Sequence, residues 1–210
     1  MDVEFAEYML YLPLYDGVSD VQIGIDRDAE IGQPIDPSPR ADRSVVFYGS
    51  SIMQGGCANR PGMCCTSIIS RDMDFEAFNL GFSGNARCDL YIAEAMARMN
   101  PTVFFLDFVP NCTADMIKER AVKFIEIIRK AHPTTPIIMI DSYKFPTLQW
   151  DSKQRIQWEA KTAEVRKVAE HFKRDKNFYY YDGESSLLHP QRSTQKRVPH
   201  WLHAQRQSTR

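Results

Sequence analysis

Tyr48-Gly49-Ser50-Ser51-Ile52-Met53-Gln54-Gly55 places two serines among small residues directly after the apolar run Ser44-Val45-Val46-Phe47. A buried strand that ends this way and runs into a helix presents a hydroxyl just past its carboxyl end, where open α/β sheets bind ligands. Small neighbours let backbone N–H groups come close to a substrate oxygen. The chemistry would be nucleophilic attack by Ser51. The alternative is a glycine–serine turn whose serine caps the helix. Two later stretches repeat the pattern: Asn79-Leu80-Gly81-Phe82-Ser83-Gly84-Asn85 and Phe104-Phe105-Leu106-Asp107-Phe108-Val109-Pro110-Asn111. Taken singly, Gly84 reads as a turn glycine with positive φ, and Asn111 as an Asx turn or N-cap ahead of Thr113.

The elements that would hold these residues alternate from residue 44 onward. Val-, Ile- and Phe-rich runs predict strands at 44–48, 77–80, 103–107, 136–141 and 178–181, of the length and character of a parallel sheet buried on both faces. Helices are expected from Pro61 to about Asp72, from about Asp89 to Met99, after Thr113, and from about Lys153 to Phe172. Thr113 suits an N-cap with Asp115 in the first turn, and Ile117, Ala121, Phe124, Ile125 and Ile128 fall on one face. Such alternation predicts an α/β fold, a three-layer α/β/α sandwich around a mainly parallel five-stranded sheet. Residues 1–38 read as a short N-terminal β segment and linker. Tyr8 to Tyr15 is apolar and aromatic, Asp16-Gly17 signals a turn, Val21-Gln22-Ile23-Gly24-Ile25 alternates, and Ile31 to Arg40 is rich in proline. The main domain is expected over 39–189, followed by an atypical basic tail over 190–210 without periodicity.

Composition narrows the function. With 26 Lys and Arg against 27 Asp and Glu, the net charge of −1 gives no electrostatic case for nucleic acid or a membrane surface. No apolar run reaches the ~20 residues of a membrane span, and Met1-Asp2-Val3-Glu4-Phe5 lacks the basic start of a signal peptide. The five cysteines, at 57, 64, 65, 88 and 112, form no Cys-x-x-Cys pair, which argues against structural zinc and for small buried hydrophobes. Gly49 to Gly56 has no Gly-Lys-Ser/Thr ending and so is no phosphate loop. Trp150, Trp158 and Trp201 are scattered and make no sugar-stacking platform.

The three blocks in this order and spacing resemble the SGNH (GDSL-like) hydrolase family, over roughly residues 44 to 186. Gly49-Ser50-Ser51 stands in the place of the family's Gly-Asp-Ser turn, with Ser50 replacing the more usual Asp. Gly84 matches the second block and Asn111 the third. The wider text from Gly49 to Met63 is similar to an esterase-like subgroup that carries a small N-terminal β-domain. Its members are often exported. The resemblance implies the flavodoxin-like SGNH fold and acyl-ester cleavage through an acyl-Ser51 intermediate. It also implies an oxyanion hole made by the Ser51 N–H, the Gly84 N–H and the Asn111 amide, with no metal or organic cofactor. Small esters, including acetylated carbohydrates, are the substrates it suggests. It leaves the oligomeric state open.

The resemblance fails at the base. The family takes it from a late Asp-x-x-His segment after the last strand. Here His189 follows Asp182-Gly183-Glu184-Ser185-Ser186, but Ser186 stands three residues before it, and no acidic residue occurs after Glu184. His200 and His203 are no better placed, and His132 and His171 fall in or at the ends of helices, where structural or surface roles are expected. The tail is then a disordered extension, a source of a histidine base without an Asp partner, or the product of a shifted frame or truncated gene. The alternative to an esterase is a catalytically incomplete remnant or a binding module. Arg87, Asp89 and Asp107 are expected as solvated, turn or cap groups, and Gln54 as a hydrogen-bonding neighbour of Ser51.

Overall fold

The computed structural model describes residues 6–34 and 42–183. Its centre is a sheet of five parallel strands in the order β2-β1-β3-β4-β5. The strands are β1 (Ser44–Gly49), β2 (Glu76–Gly81), β3 (Val103–Asp107), β4 (Ile137–Ile140) and β5 (Phe178–Tyr181). Around it lie α1 (Ser51–Gln54), α2 (Cys65–Met73), α3 (Leu90–Met96), α4 (Ala114–Met116), α5 (Val122–Ala131) and α6 (Ser152–His171). The three-layer α/β arrangement read from the sequence is therefore present.

Register divides each strand's side chains between two cores, because neighbouring parallel strands align their residues in phase. Val46, Tyr48, Phe104, Leu106, Ile137 and Met139 form the larger core with Ala93 and Met96 of α3, Phe124, Ile125 and Ile128 of α5, and Val165 and Val168 of α6. Phe47, Met53 and Phe75 anchor a smaller core on the opposite face, with Val45, Ala77 and Phe105 packed against it.

Two helices differ from expectation. The run from Pro61 begins as a 3₁₀ turn, Pro61–Met63, and becomes α-helical only at Cys65, because Cys64 is extended. The helix after Thr113 is continuous from α4 to α5 but passes through a π turn at Ile117–Ala121. Thr113 caps it as expected, its side chain accepting from Met116 N at 3.2 Å.

The N-terminal segment does not form the expected strands. Residues 6–34 contain none, since two or three short strands without a sheet to join are not stable alone. Instead the Tyr11 hydroxyl accepts from Arg71 at 2.9 Å, with the guanidinium 5.3 Å from the Tyr11 ring centre. The Leu14 carbonyl accepts from Gln54 Nε2 at 3.1 Å.

Topology brings the three candidate loops together. β1 lies between β2 and β3, so the chain reverses its direction of travel across the sheet at β1. This is the switch point where such sheets open a crevice. Gly49 pairs with Gly81 of β2 and with Asp107 of β3, so the strand ends before Ser51, Gly84 and Asn111 are level.

Candidate active site

The turn that carries Ser50 and Ser51 is held by backbone and side-chain bonds. Ser50 N donates to the Asp107 carbonyl at 3.1 Å, and Phe82 N donates to the Gly49 carbonyl at 2.8 Å. Ser50 is extended, 1% exposed, and its Oγ accepts from Ile52 N at 3.3 Å, so it is the N-cap of α1. The capping role falls to Ser50, and Ser51, half-buried, is the first residue of α1. Asn79 Nδ2 donates to the Met53 carbonyl at 3.0 Å and to Thr66 Oγ1 at 3.1 Å, while its Oδ1 accepts from Gly81 N at 2.9 Å. α1 lies so close over the end of β2 that a Cβ at Gly81 would sit 2.2 Å from Gln54 N. Only glycine permits that approach.

Gly84 occupies an exposed turn with φ +70°. A Cβ there would meet no atom within 4 Å. Crowding by this protein's own atoms is therefore not what demands glycine; the left-handed backbone is. The turn is fixed by Ser83 N donating to Gln54 Oε1 at 2.8 Å, Asn85 N to the Phe82 carbonyl at 2.9 Å, and Arg87 Nε to the Gly84 carbonyl at 2.9 Å. Gln54 thereby joins α1, the Gly84 loop and the N-terminal segment.

Asn111 closes a 3₁₀ turn, Val109–Asn111, beyond β3. Its Oδ1 accepts from Ala86 N at 3.3 Å. A backbone N–H can only donate, so the atom facing it is the oxygen and the amide NH₂ is turned away as a donor. Asn111 is neither an Asx turn nor an N-cap; it ties the third loop to the second. Cys112 Sγ reinforces this by donating to the Ala86 carbonyl at 3.5 Å.

Beneath the turn lies a group that sequence reading placed as a turn or cap residue. Asp107 is 2% exposed, its Oδ2 accepts from Ser50 Oγ at 3.5 Å, and its Oδ1 is buried with no hydrogen-bond partner among the described residues. Burial pushes its carboxyl up to about 7, against a small opposing effect of the Ser50 hydroxyl. Tyr143, in the connection after β4, and Cys65 of α2 are near enough to feel its charge. Asp141, one strand further on, is also buried, and burial raises its carboxyl too. It is satisfied, however, accepting from Tyr180 Oη at 2.8 Å and Ser142 N at 2.6 Å.

Other candidates resolve into structural roles. Asp89 pairs with Arg120 at 3.0 Å. Arg87 remains exposed at the rim of the Gly84 loop. His132 and His171 both precede strands, at the end of the sheet away from Ser51. His132 Nε2 is 3.1 Å from the Ala97 carbonyl, and His171 Nε2 is 3.2 Å from Glu126 Oε1. His189, His200 and His203 lie outside the described residues. The cysteines are all free, and among the described residues no cluster of His, Cys, Asp or Glu is placed to hold a metal ion. No helix among them is long and apolar enough to cross a membrane.

Fold and site together define an α/β protein with a serine at the sheet's switch point. The profile of the GDSL-like lipase/acylhydrolase family matches residues 42–202, and the chain belongs to that family. A candidate GDSL-like lipase from Bacteroides ovatus is 35% identical, with a TM-score of 0.78 over 84% of this chain and 52% of that one. A salicylyl-acyltransferase from a tetracycline biosynthetic pathway is 22% identical, with a TM-score of 0.61 over 72% of this chain and 44% of that one. A family two carbohydrate esterase from Clostridium thermocellum, in complex with cellohexaose, is 14% identical, with a TM-score of 0.54 over 73% of this chain and 56% of that one. The last two show likeness of fold alone. The chain spans about half the length of these structures. No curated protein sequence matches it significantly.

Proposed function

We propose that this chain is a serine esterase for small acyl esters, acetyl groups on carbohydrates among them, with Ser51 as nucleophile. The observation that carries the reading is that Asn111 Oδ1 accepts from Ala86 N–H, which leaves its amide NH₂ free to donate. In the proposed reaction Ser51 Oγ attacks the acyl carbon and loses its proton to a base. The carbonyl oxygen gains charge, which the Ser51 N–H, Gly84 N–H and Asn111 Nδ2 stabilise. Collapse breaks the bond to the alcohol, which takes up the proton, and water then releases the acid from acyl-Ser51. Donors fixed before reaction are worth about 3–4 kcal/mol each because they need no reorganisation. His189, the first histidine after β5, is the proposed base.

A second reading is favoured by one observation. The histidines among the described residues stand at the wrong end of the sheet, which fits an incomplete hydrolase that keeps the pocket without a competent base. Hydrolysis of a small activated acetyl ester, compared between the chain and Ser51→Ala, separates the two. Turnover that disappears with Ser51 supports the esterase, and equal rates support the incomplete form.

A further inference from the structure

We propose that Asp107 is a positioning residue for Ser51: its side chain braces the nucleophile turn through Ser50 and sets how firmly that turn holds the serine. This rests on the reading of Ser51 as nucleophile. Three contacts support it. Asp107 is the register partner of Gly49, its carbonyl accepts from Ser50 N at 3.1 Å, and its Oδ2 accepts from Ser50 Oγ at 3.5 Å. The same Ser50 Oγ caps α1 through Ile52 N. A chain of bonds therefore runs from the end of β3 to the helix whose first residue is Ser51.

The bracing depends on the charge of Asp107. The side chain is 2% exposed, and one oxygen has no partner among the described residues. A carboxylate so poorly solvated is costly, and the neutral acid avoids that cost while Oδ2 goes on accepting from Ser50 Oγ. The groups that face it are the Ser50 hydroxyl from the nucleophile turn, Cys65 from α2 and Tyr143 from the connection after β4. None is a cation, and no cation among the described residues offsets its charge. Ionised, Asp107 would pull on Ser50 to gain solvation and set a negative charge under the point where the oxyanion develops. Both effects slow acylation of Ser51. A purely structural acid would change stability alone.

The test compares the full chain with Asp107→Asn, which is neutral at every pH and similar in shape. A fluorophosphonate probe, which phosphonylates a nucleophilic serine with loss of fluoride, reads the reaction, with Ser51→Ala as the blank. Amide hydrogen exchange over residues 50–56 reads the turn itself. The titration of the base cancels in the ratio of variant to parent labelling rates. That ratio is expected to climb about tenfold from about pH 6 to about pH 8.5, on either side of the raised carboxyl. Exchange at 50–56 in the parent, relative to the variant, should quicken over the same range. A labelling ratio flat with pH overturns the proposal. If neither protein labels Ser51 at any pH, the esterase reading fails, and exchange decides alone. A pH-dependent difference confined to 50–56 then upholds the bracing, and no difference overturns it.

Discussion

The ends of β3 and β4 present the same residue in two different states. Asp107 and Asp141 each follow an apolar strand run, each is buried, and burial raises each carboxyl. Asp141 is bonded to Tyr180 and Ser142, whereas Asp107 has one long bond and one oxygen without a partner among the described residues. The satisfied carboxyl joins strands β4 and β5, away from the candidate site. The unsatisfied one contacts Ser50, next to the proposed nucleophile Ser51. Polar satisfaction thus separates a strand end whose carboxyl is fully bonded from one that keeps an unmet polar cost next to the proposed nucleophile turn.

Stability as a function of pH should break the two apart most widely. The folded state raises the carboxyl of Asp107 from an ordinary 3.8 to about 7. Its stabilising share is therefore complete below pH ~4 and is lost as pH rises through about 7, by on the order of 4 kcal/mol. Asp107→Asn should escape this loss. Urea unfolding at several pH values would show the variant gaining on the parent between acid and neutral pH, and parallel curves would contradict the account.

Asn111→Ala acts on the chemistry of the same half. It should lower kcat by about 10²–10³-fold, with little change in KM, because the donor acts on charge that appears only in the transition state. Steady-state kinetics on the acetyl ester would read this.

Asp141→Ala should do the reverse. It leaves the Tyr180 hydroxyl without its buried partner, costs about 1–3 kcal/mol in urea unfolding, and leaves the kcat of the folded fraction nearly unchanged. A large fall in kcat would place Asp141 in the site as well. Gly84→Ala is the mildest. Its Cβ meets open space, so the cost is that of a left-handed alanine, about 1–2 kcal/mol, visible as a small shift in Tm.

Much of this half of the sheet was legible in the sequence. Short apolar and aromatic runs marked all five strands to within a residue or so, the central β1, β3 and β4 through their Val, Ile and Phe content, whereas the edge strands β2 and β5 are only partly buried. The glycine and asparagine endings marked the loops. The residues alone did not say which of the two serines caps the helix; the resemblance assigned Ser51 the nucleophile's place and left the cap open. Only backbone geometry gives the cap to Ser50. Sequence reading also undervalued Asp107, because burial at a strand end depends on which neighbour lies above it: α1 and Tyr143 here, Tyr180 for Asp141. The strands expected between Tyr8 and Ile25 failed for a related reason. Alternation and a turn signal describe a hairpin, but a hairpin needs a sheet or a core to join, and Tyr11 and Leu14 bind α2 and α1 instead. His189, the proposed base, lies outside the described residues.

The central claim is that Ser51 is a nucleophile in a working oxyanion site. Hydrolysis of a small activated acetyl ester by the purified chain, beside Ser51→Ala, tests it most directly. The account predicts turnover by the chain and a loss on the order of 10⁶ in kcat in the variant. Equal rates in the two proteins would contradict it and leave the serine as a turn residue of an incomplete hydrolase.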